Sequence, residues 1–189
     1  YRSLTDQLPV GVYRTKTDGK LVYSNPALLR MLGYDSVDEL TKLNVSQLYA
    51  DPSDRKKQLK ESIRSSGIIQ SEFRVKRKTG EVIWVKDNSR LLFNKYGDPE
   101  YFDGILEDIT ESKRTESAIK ESEANLKAII ENTLESIWSV DLDYKIKYVN
   151  EVFASSFLQT FGIQLAKGVN IIDALPLSIK KMWKDRYDR

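Results

Sequence analysis

Apolar and polar positions follow two different periods along this chain, and the switches between them mark its elements. Val10 to Thr15 and Lys20 to Ser24 are short β-prone runs joined through Thr17-Asp18-Gly19, where glycine supplies the positive φ of a tight turn. At Asn25-Pro26 the period becomes helical: Leu28, Leu29, Met31 and Leu32 fall on one side, Asn25 can cap the helix, Pro26 suits its first turn, and Gly33 ends it. Ser36 followed three residues later by Glu39 is a capping box that starts another helix, and Pro52 to about Arg64 reads as a longer one. The period then returns to two. Glu72 to Lys76 alternates as a half-buried strand, Lys78-Thr79-Gly80 turns the chain, and Val82 to Phe93 makes a long strand. Tyr96-Gly97-Asp98-Pro99 turns it again into a strand from Glu100 to Ile109. Two strands, several helices and three further strands predict an α+β fold with an antiparallel sheet rather than alternating α/β units.

The opening of this pattern recurs. Asp18 to Asn25 is echoed by Asp143 to Asn150 at an offset of 125 residues, and Gly11-Val12-Tyr13 aligns with Ser136-Ile137-Trp138. Each copy runs from its Asn into an apolar helical stretch closed by glycine, Gly33 in the first and Gly162 in the second. The second copy continues through Gly168 to Ile172 and a helix start near Leu177, without a counterpart of the last three strands before Arg189. The predicted organisation is a complete domain over 1–111, a linker helix over 112–132 and the N-terminal half of a second domain over 133–189, so that the chain is expected to be a piece of a longer protein.

The linker carries Glu, Lys, Ala, Ser and Leu without Gly or Pro, as a continuous helix requires. Ile119, Leu126 and Thr133 are seven apart and Ile129 follows Leu126 by three, a thin heptad seam whose other core positions, Thr115 and Ser122, are polar. Two arrangements use such a seam: a parallel dimeric coiled coil, or an amphipathic helix lying on its own domain.

Composition narrows the chemistry. Thirty basic against 28 acidic side chains leave a net charge of +2 with the signs interleaved, which provides no footprint for nucleic acid or anionic lipid. The densest basic run, Arg55-Lys56-Lys57, reads as a solvated helix face. No stretch approaches the roughly 18 apolar residues of a membrane span, so the fragment is expected to be soluble, without direct membrane contact, and cytoplasmic. The absence of Cys and His rules out a Cys-adduct flavin, a His-ligated haem and a phospho-accepting histidine in this segment. Noncovalent flavin and an unknown small ligand stay open. Asp98, Glu100 and Asp103 lie at a turn and along a strand, where exposed carboxylates need no metal, and no metal ligands are assigned. No nucleophile and base constellation, phosphate loop or acid pair stands at a catalytic spacing, so the fragment is expected not to be an enzyme.

Asp18-Gly19, Asn25-Pro26 and Gly33-Tyr34, then Glu81-Val82-Ile83-Trp84-Val85 and Asp108-Ile109-Thr110, stand in an order that resembles the PAS family of sensor modules. The likeness covers residues 1 to about 111 fully and the chain from about 132 in part. It implies a five-stranded antiparallel sheet with helices over one face and a small cavity that some members fill with a ligand. The second copy departs from the pattern, with Tyr144 in place of Gly19 and Ile163 after Gly162.

Tyr13, Met31, Leu32, Phe73 and Trp84 are the candidates for lining such a cavity, and each reads equally as plain core. Trp138 carries the same ambiguity in the second copy. Asn25 is a candidate for orienting a ligand, although its capping role suffices. Asp108-Ile109-Thr110 corresponds to the motif that closes many PAS modules and begins their output linker. Thr110 can cap the helix beginning at Glu111, and Asp108 can pair with Lys86 or Arg90 on the neighbouring strand. The plain alternative is a strand end and a helix cap with no signalling part. The resemblance implies a sensing and dimerising module, a homodimer through the linker, and an output domain in the same protein. A histidine kinase is the expected output, with a diguanylate cyclase or chemoreceptor-type output, or a passive interaction scaffold, as the competing readings.

Overall fold

The computed structural model describes residues 5–65 and 67–188, so the outermost expected limits, residues 1 and 189, lie outside the described part. The chain divides between Glu116 and Ser117 into two compact units. In the first, β1 (Gly11–Lys16) and β2 (Leu21–Ser24) are followed by α1 (Pro26–Leu32), α2 (Val37–Thr41), a 3-10 turn (Val45–Leu48) and α3 (Pro52–Arg64). The chain then returns through β3 (Ile69–Lys76), β4 (Val82–Phe93) and β5 (Pro99–Asp108). All five strands form one antiparallel sheet in the order β2-β1-β5-β4-β3, as the segregated element pattern predicts.

Alternation along each strand sets the two faces of this sheet. On β4, Ile83, Val85, Asp87, Ser89 and Leu91 are buried, whereas Trp84, Lys86, Asn88 and Arg90 face outward. On β5, Phe102, Gly104 and Leu106 point inward. The helices close over the inner face around Leu21, Leu28, Leu32, Leu40 and Phe73. Local signals explain the helix ends: the Asn25 side chain accepts from the Leu28 amide, Gly33 takes φ 76° at the C-terminus of α1, and Asp51 caps α3 ahead of Pro52. At Ser36 half of the predicted capping box forms. Ser36 accepts from the Glu39 amide at 3.3 Å, but the Glu39 carboxylate takes the amide of Asp35 instead.

Helix α4 (Thr110–Asn132) starts in the first unit and ends in the second. The second unit then contains β6 (Trp138–Val140) and β7 (Ile146–Val149) as a two-stranded sheet, with α5 (Glu151–Phe161), α6 (Ile171–Ala174) and α7 (Leu177–Tyr187). Its core gathers Ile146, Phe153, Phe157, Leu165, Ile171 and Ile172, and Trp138 stacks on Phe153 with ring centroids 4.3 Å apart.

The sequence repeat is a repeat of hydrogen bonds. Asn25 accepts from the amides of Val12 and Leu28 and donates to the carbonyls of Thr5 and Val10. Asn150 accepts from Ile137 and Phe153 and donates to Ile130 and Glu135, so every partner is displaced by the same offset. Both asparagines are fully buried. A polar residue with all four of its amide hydrogen-bonding positions used ties together an incoming segment, a strand and a helix start. In the second unit the incoming segment is the end of α4. The departure at Tyr144 is absorbed by strain: it adopts φ 61°, the left-handed region that Gly19 occupies with φ 88°.

Candidate functional site

Under the helices of the first unit lies a cavity of about 50 Å³. Leu28, Leu32, Leu40, Val75 and Leu106 make its apolar walls, and Tyr49 and Phe73 stack beside it with centroids 4.6 Å apart. Its polar side comes from Tyr13, Thr15 and Arg55. The Thr15 side chain is buried, and neither its hydroxyl nor Nη2 of Arg55 has a hydrogen-bond partner among the described residues.

Next to the cavity a buried polar network joins the sheet to α3. Asp87, fully buried in β4, accepts from the Tyr13 hydroxyl at 2.8 Å, from the Ser89 hydroxyl at 2.7 Å and from Nε2 of Gln58. Gln58 in turn accepts at Oε1 from the Tyr49 hydroxyl at 2.6 Å and from Nη1 of Arg55 at 3.2 Å. Arg55 also stands over the Phe102 ring, 4.9 Å from its centroid. Burial pushes the Asp87 carboxyl up to about 6, against the opposing pull of Ser89, Tyr13, Arg55 and Gln58. Burial, and then Asp87 itself, push the Tyr13 phenol well above its ordinary value, and burial lifts Tyr49 to about 12.

Gly104 makes this network reachable. Tyr13 on β1 and Ser89 on β4 are both register partners of Gly104 on the strand between them. A Cβ at Gly104 would stand 2.6 Å from Cε1 of Tyr13. Only the bare backbone lets the tyrosine ring cross β5 to meet Asp87.

The expected pocket residues separate in the structure. Tyr13, Leu32 and Phe73 line the cavity. Met31 packs against the core from the side, and Asn25 is wholly occupied by the backbone bonds described above. Trp84 lies on the opposite, outer face, where its position in the alternation of β4 puts it, beneath Arg74 and Lys113. Trp138 belongs to the aromatic core of the second unit. Arg55 corrects the reading of Arg55-Lys56-Lys57 as a solvated face: Lys56 and Lys57 are exposed, whereas Arg55 turns inward to the cavity. Asp87, Gln58 and Tyr49 were not anticipated. The signal for Asp87 was present, since an acid at an inward position between Val85 and Ser89 breaks an otherwise buried row.

A second constellation stands where β5 becomes α4. Asp108 pairs with Arg77 at 2.9 Å and accepts from the Thr110 amide at 2.9 Å. Neither predicted cation reaches it. Lys86 and Arg90 project to the outer face, opposite Glu107 and Asp103, whereas Asp108 continues the inner-face parity of β5 beside Val85. Arg77 continues the inner-face parity of β3 just past Lys76. Burial raises the Asp108 carboxyl, but hydrogen bonds from Thr110 and the Arg77 guanidinium outweigh it and hold it below the usual range. The capping roles are also exchanged. Asp108 supports the helix start, while the Thr110 hydroxyl accepts from the Trp84 amide at 2.9 Å. The Ile109 amide donates to the Trp84 carbonyl at 3.0 Å, so both residues after Asp108 are anchored to β4. Lys113, one turn on, pairs with Glu72 on the outer face at 2.7 Å.

The seam residues Ile119, Leu126 and Ile129 are 54%, 57% and 67% exposed, and Thr133 falls one residue beyond the end of α4. Among the described residues no helix is long and apolar enough to cross a membrane, and no group of three or more metal-ligating acidic side chains is assembled.

Comparison with known proteins places these features. A family model described as PAS domain matches residues 9–111. The sensor histidine kinase TmoS of Ectopseudomonas mendocina is 27% identical over 130 residues, 67% of this chain and 13% of that protein. The two-component sensor PprA of Pseudomonas aeruginosa is 27% identical over 159 residues, 82% of this chain and 17% of that protein. The probable diguanylate cyclase DgcE of Escherichia coli is 34% identical over 120 residues, 61% of this chain and 11% of that protein. This chain therefore spans less than a fifth of the length of these curated relatives. Among solved structures, a PAS domain from Colwellia psychrerythraea aligns with TM-score 0.51 and 21% identity, covering 58% of this chain and 93% of its own. An RNA-binding light-oxygen-voltage receptor aligns with TM-score 0.54 and 22% identity, covering 65% of this chain and 36% of its own, which supports the fold alone.

Proposed function

Because this chain belongs to the PAS domain family, we propose that its first unit senses a small molecule in the cavity beside Asp87 and relays the event through Asp108, Ile109 and Thr110 to α4. The observation that carries this reading is the shared strand. β4 contributes Asp87 to the cavity network and the Trp84 backbone to the junction, three residues apart. The cavity is far below the roughly 300 Å³ at which pockets for drug-sized ligands begin, so its leucine and phenylalanine walls do not fit a flavin ring system. A ligand of a few non-hydrogen atoms matches it.

The second unit is a further PAS-like half whose entry is fixed by Asn150, and α4 joins two copies of the chain in a cytoplasmic homodimer through Ile119, Leu126 and Ile129. Their exposure supports this arrangement, since an apolar seam left in water gains from a partner. Sedimentation of the chain at micromolar concentration tests it, and a monomer with α4 intact overturns it. The output in the parent protein is a histidine kinase, in keeping with two sensor relatives, and the cyclase relative favours a diguanylate cyclase as the second reading.

The sensing role is tested in the full-length protein by Val45→Phe, which fills the cavity from its lining. Output that no longer answers the physiological signal, in a protein that still melts cooperatively, supports sensing. Output that remains fully regulated overturns it and leaves a scaffold role.

A further inference from the structure

We propose that the cavity of the first unit is a site for a short-chain monocarboxylate, its carboxylate held by Arg55 and Thr15 and its alkyl end held by the leucines. This rests on the sensing reading above and specifies the ligand class.

The polar side of the cavity sets the first requirement. The Arg55 guanidinium spends Nη1 on Gln58, while Nη2 is buried, lines the cavity and has no partner among the described residues. A guanidinium is a donor only and stays charged at any working pH, so this group asks for an acceptor. An ionised acceptor meets that demand best, because charge-assisted bonds are about twice as strong as neutral ones. The Thr15 hydroxyl, in a residue only 3% exposed, lines the same cavity and is likewise unpartnered. Two buried polar groups without partners are a costly arrangement for a core that only has to pack. A carboxylate has an oxygen for each.

The rest of the cavity limits what carries that carboxylate. At about 50 Å³, it has room for about three to five water-sized groups. Acetate and propionate are of that size. Of the other lining residues, Tyr13 and Tyr49 already donate their hydroxyls to Asp87 and Gln58 and the rest are apolar, so a second carboxylate or a row of hydroxyls would be buried without partners. Inorganic phosphate fails on the same ground. Arg55 is linked to the buried Asp87 through Gln58, by Nη1 and not by Nη2, so Nη2 is left for the ligand.

The test is a titration of the isotopically labelled chain with sodium acetate and sodium propionate, against acetamide, 1-propanol and sodium chloride at matched ionic strength. Amide signals around Thr15, the Arg55 side-chain signals and the methyl groups of Leu32 and Leu106 are followed. Saturable shifts in that set with the carboxylates, but not with chloride or the neutral analogues, are expected. Thr15→Val keeps the volume and removes the hydroxyl, and should weaken binding about tenfold to a hundredfold while leaving the melting temperature of the ligand-free protein within a few degrees. Arg55→Gln should abolish it. Equal binding of acetamide or propanol, or unchanged affinity in Thr15→Val, would overturn the carboxylate assignment while leaving a sensing cavity in place. Failure of every compound to shift those signals overturns the carboxylate site, and only regulated output from Val45→Phe would overturn sensing as well.

Discussion

Replacing Asp87 by Asn should change how the stability of the first unit depends on pH more than it changes stability at any one pH. The carboxyl is fully buried and lifted from 3.8 to about 6, so the folded chain holds its proton more tightly than the unfolded chain does. A difference of that size corresponds to about 3 kcal/mol. Its sign follows from where the proton sits. Below about pH 4 the carboxyl is protonated in both states and the full contribution is present. Between about pH 4 and 6 the unfolded chain has released the proton and the folded chain has not, so each further unit of pH removes about 1.4 kcal/mol. Above about pH 6 the loss is complete, because an ionised Asp87 is now buried among Tyr13, Gln58 and Ser89. Asn cannot ionise. The stability of Asp87→Asn relative to the parent should therefore rise by about 3 kcal/mol from pH 4 to pH 7 and be flat above.

Urea unfolding at closely spaced pH values measures this. Fluorine labelling of tryptophan separates the units, since Trp84 lies in the first and Trp138 and Trp183 in the second. The Trp84 signal should carry the whole effect. Parallel curves for parent and variant between pH 4 and 7 would refute the argument, because they would mean that Asp87 is as well solvated in the folded chain as in the unfolded one.

Gly104→Ala should cost about 1–3 kcal/mol by crowding the Tyr13 ring, and should lower the Tyr13 phenol toward its ordinary value as contact with Asp87 is lost; an ultraviolet titration that leaves the phenol unmoved would count against the crossing geometry. Asn25→Asp and Asn150→Asp keep the acceptor and lose both donors, so each should destabilise its own unit by about 1–3 kcal/mol at neutral pH. A penalty confined to one of the two, read from the separate tryptophan signals, would mean that the repeated bonding is not equivalent. Arg77→Gln should raise the titration midpoint of the Asp108 carboxyl, followed by carbon NMR, at a stability cost below about 1 kcal/mol because the pair is partly exposed; an unmoved midpoint would assign the shift to Thr110 alone.

The limits of β4 and α3 were legible because both elements carry their own boundary chemistry. Gly80 turns the chain ahead of the first, and Asp51 and Pro52 open the second. The functional residues were harder to see because the buried face of α3 is polar. Its buried residues are Gln58 and Ser62, with Arg55 on the same side, so a search for apolar periodicity passes over the face that meets Asp87. Trp84 shows the opposite error. Its aromatic character suggested the core, while strict alternation with Ile83 and Val85 already placed it on the other side of the sheet. The same parity separates Asp108 from Lys86 and Arg90. What no alternation could supply is Arg77, because its pairing with Asp108 depends on the order of β3, β4 and β5 across the sheet, which is a tertiary fact.

The proposed relay needs a mechanical route from the cavity to α4, and the hydrogen bonds make β4 the shortest one. Asp87 is held from the helical layer through Gln58 and from β1 through Tyr13, so a change in its bonding alters how tightly α3 and β1 are tied to this point of the sheet. Three residues back, the Trp84 amide donates to the Thr110 hydroxyl and the Trp84 carbonyl accepts from the Ile109 amide. Strand β4 is hydrogen-bonded on both edges, so in the proposed relay a shift at Asp87 would reach Trp84 with less loss than through the loops between helices. The Asp108 and Arg77 pair then bears on the outcome from the far side: it anchors the helix start to the end of β3, across the strand that would move. In the proposed relay, these two anchors on adjacent strands would turn a relative displacement of β3 and β4 into a rotation of the first turn of α4. In the proposed dimer, a thin seam of Ile119, Leu126 and Ile129, interrupted by Thr115 and Ser122, would oppose such a rotation only weakly.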